Sequence, residues 1–171
     1  NNILSYKGNQ IGRSIKEENC EIIINEIFET SKNHSCKIIF PEDVLVGKNI
    51  NDKSCVKELS EINNDDLILD IGPKTINKIK NIIEISETVL WNGPAGYFEN
   101  PNFANGSFEI AESIIKKNKD KSIYSVVGGG DTVALINQMN AINDFNFVST
   151  AGGAFLEYLE GRELPGIKAL K

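Results

Sequence analysis

The chain of 171 residues has one histidine, one tryptophan, one methionine and three cysteines. With Cys20, Cys36 and Cys55 widely spaced and no CxxC, neither a zinc ribbon nor a disulfide framework is indicated. Cys20 and Cys36 read as plain buried or half-buried thiols, and a reducing cytoplasm suits all three. His34 sits in a polar link and reads as a solvated loop residue rather than a base. No stretch approaches the roughly 18 apolar residues of a membrane span. The N-terminus is polar, so no secretory signal is expected. No block of Lys or Arg stands out against a net charge of −6, which disfavours nucleic acid as a partner. Both GxxxxGK[ST] and GxGxxG are missing, which argues against a P-loop or a dinucleotide-binding turn.

What is present is a 40% hydrophobic, 25% charged composition, typical of a globular protein. The length fits one ordinary domain, 1–171, with no internal repeat or boundary. The opening Asn1-Asn2, in place of methionine, points to a piece of a longer polypeptide.

The periodicity predicts a helix over 15–30, its apolar face built by Ile15, Cys20, Ile23, Ile27 and Phe28. Strands are expected at 36–40, 44–46 and 67–71, with residues 48–64 as a long surface excursion. Pro73 opens a helix bearing Ile76, Ile79 and Ile83. Strands at 88–91, 122–127 and 145–148 then alternate with helices starting near 104, 132 and 154. This order predicts an α/β fold, a Rossmann-like three-layer α/β/α arrangement with a mainly parallel sheet.

Three of these strands run straight into glycine turns: Asn92-Gly93-Pro94, Gly128-Gly129-Gly130-Asp131-Thr132 and Ser149-Thr150-Ala151-Gly152-Gly153. A strand that ends in glycines at a helix start offers bare N–H groups and the positive helix end to an anion. In open parallel sheets, ligands sit at this carboxyl edge. Asp131 is placed to hold Mg²⁺ against phosphate oxygens. On spacing alone the same turn is equally a tight turn with Asp131 or Thr132 as N-cap. Gly152 and Gly153 follow the same logic without an acid, and a close strand–helix turn is the competing reading. Glu99, at the rim of the 93–105 loop, is a carboxylate for a ribose hydroxyl or simply a solvated acid. Asp70 reads as a cap or turn former.

The motifs then resemble a known family. Val89-Leu90-Trp91-Asn92-Gly93-Pro94-Ala95-Gly96-Tyr97-Phe98-Glu99 is similar to the WNGPxGxFE segment of the phosphoglycerate kinases. The likeness continues through Pro101 to Gly106, Val127 to Thr132, Ser149 to Glu157 and Leu164-Pro165-Gly166. Upstream it includes Ile38 to Val46 and Leu69 to Thr75. The resemblance implies reversible phosphoryl transfer between 1,3-bisphosphoglycerate and ADP, giving 3-phosphoglycerate and ATP, in glycolysis. It also implies Mg²⁺, a cytoplasmic location and a monomeric full enzyme of two domains.

By that resemblance the chain is most of the carboxyl-terminal, nucleotide-binding domain. Gly129, Gly130, Asp131 and Thr132 would meet the nucleotide phosphates, with Asp131 on the metal. Asn92 and Pro94 would lie beside the nucleotide, and Glu99 would hold its ribose. Gly129, Gly152 and Gly153 would be the catalytic backbone donors. The phosphoglycerate-binding amino-terminal domain and the first strand–helix units, with their nucleotide-binding lysine, are not in this sequence. The chain is therefore expected to be inactive alone and prone to self-association at an uncovered sheet edge. A non-catalytic nucleotide-binding or interaction module with the same fold is the alternative. Ala151 and Ile68 stand where many or some members have glycine.

Overall fold

The computed structural model describes residues 1–170, which fall into two compact units. The first holds residues 1–79 and 95–106, and the second holds 80–94 and 107–171. The protein is an α/β fold with two three-stranded sheets, one in each unit.

In the first unit, β1 (Asp43–Gly47) lies between β2 (Cys55–Glu58) and β3 (Leu67–Ile71), and both pairings are antiparallel. Every residue of β1 is buried, as the centre of a covered sheet requires. Val44, Val46 and Ile62 form its core, with Leu59 and Ile68 packed against them. Two helices precede the sheet, α1 (Asn2–Tyr6) and α2 (Glu21–Asn33).

Several sequence expectations change here. The 48–64 excursion contains β2, an edge strand with Val56 half exposed, so its pattern carries little hydrophobic signal. The 36–40 run is not a strand: it stops at Pro41 and has no ladder partner, and Lys7 lies 4.6 Å from the Phe40 ring centre. Cys36 is exposed, while Cys20 is partly buried at the N-cap of α2. The inward residue of α2 is Ile24, while Ile23 and Ile27 are exposed and Ile15 lies outside the helix. Three consecutive isoleucines spread apolar surface around α2, so periodicity alone does not choose its buried side.

Two buried carboxylates knit this unit. Asp43 reaches the start of α3 (Pro73–Ile85), where Oδ2 accepts from the Lys74 N–H at 2.9 Å. Its Oδ1 accepts from the Thr75 N–H at 2.9 Å and the Thr75 hydroxyl at 2.8 Å. Burial works to raise this carboxyl, but the helix amides and hydroxyl outweigh it and hold it below its ordinary value. Asp66 is also buried, and burial again works to raise it. Lys57 Nζ at 2.6 Å, the Asn63 N–H at 2.7 Å and Lys48 Nζ at 2.9 Å hold it down at about 2. β2 carries Lys57, so the overlooked strand supplies a partner to this buried charge.

In the second unit the sheet is parallel, in the order β4 (Thr88–Asn92), β5 (Tyr124–Gly128), β6 (Phe147–Val148). Flanking helices are α4 (Asn105–Lys119, of which 107–119 belong here), α5 (Gly130–Gln138) and α6 (Gly153–Leu159), with a last turn α7 (Pro165–Lys168). Trp91 and Phe145 are buried with ring centres 6.4 Å apart, and Ala111, Ile114, Val127, Leu135 and Ile136 are fully buried. Lys117, buried on α4, donates to the carbonyls of Glu84 and Ser86 and so closes the last turn of α3.

Removing the Asp43 carboxylate leaves the Lys74 and Thr75 amides of α3 short of an acceptor, while the Thr75 hydroxyl keeps the Asp43 main-chain carbonyl at 3.0 Å. Asp43→Ala is expected to cost about 1–3 kcal/mol, read as a lower urea midpoint; an unchanged midpoint would refute the cap. Asp66 binds its proton only below the range of an unfolded aspartate, so its stabilisation is complete above about pH 5 and fades as pH falls toward 2. The urea midpoint should therefore fall less steeply between pH 5 and 2 in Asp66→Asn than in the wild type.

Candidate functional site

In the second unit, β4 and β5 end side by side, with Asn92 opposite Gly128 in the register. Gly93 follows at φ +112° and its N–H donates to Thr132 Oγ1 at 2.7 Å. The Trp91 indole N–H donates to the Gly93 carbonyl at 2.9 Å, which holds the same turn from its other side.

Gly129, at φ +84°, is the N-cap of α5, and no side chain caps the helix. A Cβ on Gly129 would overlap Asn92 Oδ1, so glycine is required twice over, by conformation and by space. Gly130 has open space around its missing Cβ. The first bond of α5 runs from the Val133 N–H to the Gly129 carbonyl. The amides of Gly130, Asp131 and Thr132 come before it, at the positive end of the helix.

Neither Asp131 nor Thr132 is the N-cap; that alternative from the sequence is set aside by Gly129 in the position. Thr132 is fully buried and its hydroxyl ties α5 to the β4 turn. Asp131 is exposed in the first turn of α5. No group of three or more His, Cys, Asp or Glu among the described residues is arranged to enclose a metal ion. A lone exposed carboxylate at a helix start suits Mg²⁺ only where phosphate oxygens supply further ligands.

Next along the edge, the Ser149 N–H donates to the Val127 carbonyl at 2.8 Å, and Ser149 Oγ accepts from the Ala151 N–H at 3.3 Å. Gly152, at φ +54°, is the N-cap of α6, again without a side-chain cap. The missing Cβ positions of Gly152 and Gly153 both face open space. Phe155, on α6, has its ring against Gly128, where a side chain would collide with it. Asn92, Gly129, Thr132 and the Gly152–Gly153 turn are thus positioned by one parallel sheet. Pro94 follows the β4 turn, half-buried.

Glu99 belongs to the first unit and is exposed. Its loop is fixed there by the Tyr97 N–H donating to the Leu69 carbonyl at 2.7 Å and by Phe103, which is fully buried. Asn100 Nδ2 donates to the Ile50 carbonyl at 2.6 Å, and Asn102 Nδ2 to the Asp52 carbonyl at 3.1 Å. Asp70 lies beneath this loop, and nothing in its spacing distinguished it from an ordinary turn former.

The second unit's geometry defines a parallel α/β layer with uncapped helix starts along its carboxyl edge. Residues 1–162 match the family model described as phosphoglycerate kinase. The chain is 40% identical to the phosphoglycerate kinase of Zymomonas mobilis, with 100% of this chain and 44% of that protein covered. It is 41% identical to that of Wolbachia pipientis from Culex pipiens, with 99% and 43% covered. Among solved structures, the phosphoglycerate kinase of Coxiella burnetii matches with a TM-score of 0.89 at 34% identity, covering 98% of this chain and 42% of that one. That of Pyrococcus horikoshii matches with a TM-score of 0.71 at 30% identity over the same shares. The chain belongs to the phosphoglycerate kinase family. It spans about 44% of the length of the curated relatives it matches.

The two neighbouring glycines of the central turn make opposite predictions. Gly129→Ala should lower stability by about 1–3 kcal/mol, through the left-handed φ and the overlap with Asn92. Gly130→Ala, in open space at the first helical position, should be neutral or stabilising. Equal urea midpoints for the two variants would contradict the turn geometry.

Proposed function

We propose that this chain supplies the Mg-nucleotide side of a phosphoglycerate kinase, which moves a phosphoryl group reversibly between 1,3-bisphosphoglycerate and ADP. In this reading residues 1–171 correspond to most of the nucleotide-binding, carboxyl-terminal part of the relatives. Phosphoglycerate is held by the complementary amino-terminal part, and the chain alone is inactive. The full enzyme works as a cytoplasmic monomer in glycolysis. The observation that carries the reading is the uncapped start of α5, set by Gly129 at φ +84° against Asn92 at the end of a parallel strand.

The amides of Gly129, Gly130 and Thr132 receive nucleotide phosphate oxygens, which the helix end favours electrostatically. Asp131 holds Mg²⁺ from the first turn, and the ion when bound offsets phosphate charge. Asn92 and Pro94 border the nucleotide. Gly152 and Gly153 direct backbone N–H groups at the transferring phosphoryl group. Phosphoryl transfer needs positioning and fixed charge stabilisation more than covalent participation by the protein.

Calorimetric titration with Mg-ADP tests this. The wild-type chain should bind, and Asp131→Asn should weaken binding at least tenfold, about 1.4 kcal/mol or more. Equal affinities, or no binding by the wild type, would remove the metal–nucleotide reading.

A further inference from the structure

Gly93 follows β4, and side chains hold both of its polar main-chain groups. Its N–H donates to Thr132 Oγ1 on α5 at 2.7 Å. Its carbonyl accepts from the Trp91 indole N–H at 2.9 Å. Glycine at φ +112° has no side chain to hold that conformation, and nothing lies within 4 Å of where a Cβ would be. The shape of the turn is therefore set by its two hydrogen bonds rather than by residue 93 itself.

The two bonds act on different peptide planes. The Gly93 N–H belongs to the Asn92–Gly93 plane, so Thr132 orients the side that carries Asn92, whose Oδ1 faces Gly129. The Gly93 carbonyl belongs to the Gly93–Pro94 plane. Pro94 has a fixed φ and no N–H, so its half-buried ring can be aimed only through that plane. Trp91 is the group that holds it. The donor is itself rigid. Trp91 is 8% exposed, pairs with Val127 of β5 in the parallel register, and has its ring centre 6.4 Å from that of buried Phe145. What tryptophan adds over phenylalanine here is one N–H. A buried indole N–H needs an acceptor, and the acceptor it has is the carbonyl that aims a proline.

We infer that Trp91 is a positioning residue for the nucleoside end of the nucleotide: its indole N–H fixes the Gly93–Pro94 peptide plane, and with it the Pro94 ring against which the nucleoside lies. This rests on the place beside the nucleotide assigned to Pro94 under the proposed function. Trp91 acts through Gly93 and does not touch the ligand. Thr132, on the other plane, serves the phosphate end, where Asn92 meets the Gly129 cap.

The test uses nitrogen-labelled chain, in which the single tryptophan gives one indole N–H resonance, together with dissociation constants for Mg-ADP and Mg-pyrophosphate. In wild type, Mg-ADP should bind at least tenfold more tightly than Mg-pyrophosphate. Saturating Mg-ADP should shift the indole resonance, and Mg-pyrophosphate should leave it in place. Trp91→Phe should cut the preference for Mg-ADP at least fivefold, with Mg-pyrophosphate affinity held within twofold. Thr132→Val should weaken both ligands together and keep the preference. A merely stabilising tryptophan would lower the thermal midpoint of Trp91→Phe and leave the preference alone.

Should Trp91→Phe fail to fold, the wild-type resonance decides: a shift with Mg-ADP alone supports the role, and a resonance unmoved by saturating Mg-ADP overturns it. A preference kept by folded Trp91→Phe, or lost as fully in Thr132→Val, also overturns the positioning role alone. No binding of Mg-ADP by the wild type, or no preference for it over Mg-pyrophosphate, overturns the nucleotide reading of Pro94 and this inference with it.

Discussion

A helix start carries N–H groups that no carbonyl of the same helix can reach, and each needs an acceptor from elsewhere. How the chain meets this demand after strands β3 to β6 organises the fold and the site alike. After β3, the Asp43 carboxylate fills the start of α3 with three hydrogen bonds. At Gly106, Asp70 does the same for the start of α4. After β5 and β6 the cap positions are glycines with positive φ, and no side chain is spent on the amides behind them. Two starts are closed from inside the protein and two are left to whatever comes from outside.

This contrast separates residues that look alike in the sequence. Asp43, Asp66, Asp70 and Asp131 are all aspartates near a strand end or a turn, but their surroundings give them different work. Asp43 and Asp66 are buried against donors that hold both carboxyls below their ordinary value, Asp66 at about 2. Asp70 is buried against the Gly106 and Ile71 amides, and burial outweighs them and pushes its carboxyl up to about 6. Asp131 is exposed in the first turn of α5. The difference between support and chemistry lies in whether the donors around the carboxylate belong to the chain.

The glycine turns were legible because they couple two signals, a β-branched run and a residue type that permits positive φ. The structure places the cap at Gly129 and Gly152 within those runs. Strand β1 was legible because a buried run in a sheet centre is continuous and apolar, and β3, β4 and β5 because they are short runs rich in β-branched and apolar residues bounded by turn residues. What escaped was set by pairing partners rather than by local pattern. β2 is an exposed edge strand recognisable only through the antiparallel partner that recruits it. The Ile38–Phe40 run has strand-like residues and no partner, so propensity went unused. Asp70 was invisible for the same reason, because its role appears only when Gly96 and Gly106 come to lie on either side of it.

The position of Asp131, two residues inside the glycine cap, follows from the same constraint. An aspartate at the cap itself would turn its oxygens back onto the amides of the first turn and occupy the very donors a phosphate needs. Glycine at the cap leaves those donors uncovered and lets the chain run close to Asn92. The acid is then displaced into the first turn, where it faces solvent rather than the amides. In the proposed function these are the two places left for ligands, the amides for an anion and the carboxylate for a cation. Exchanging the order of Gly129 and Asp131 would keep the composition and lose both, since aspartate at φ +84° is strained and would collide with Asn92.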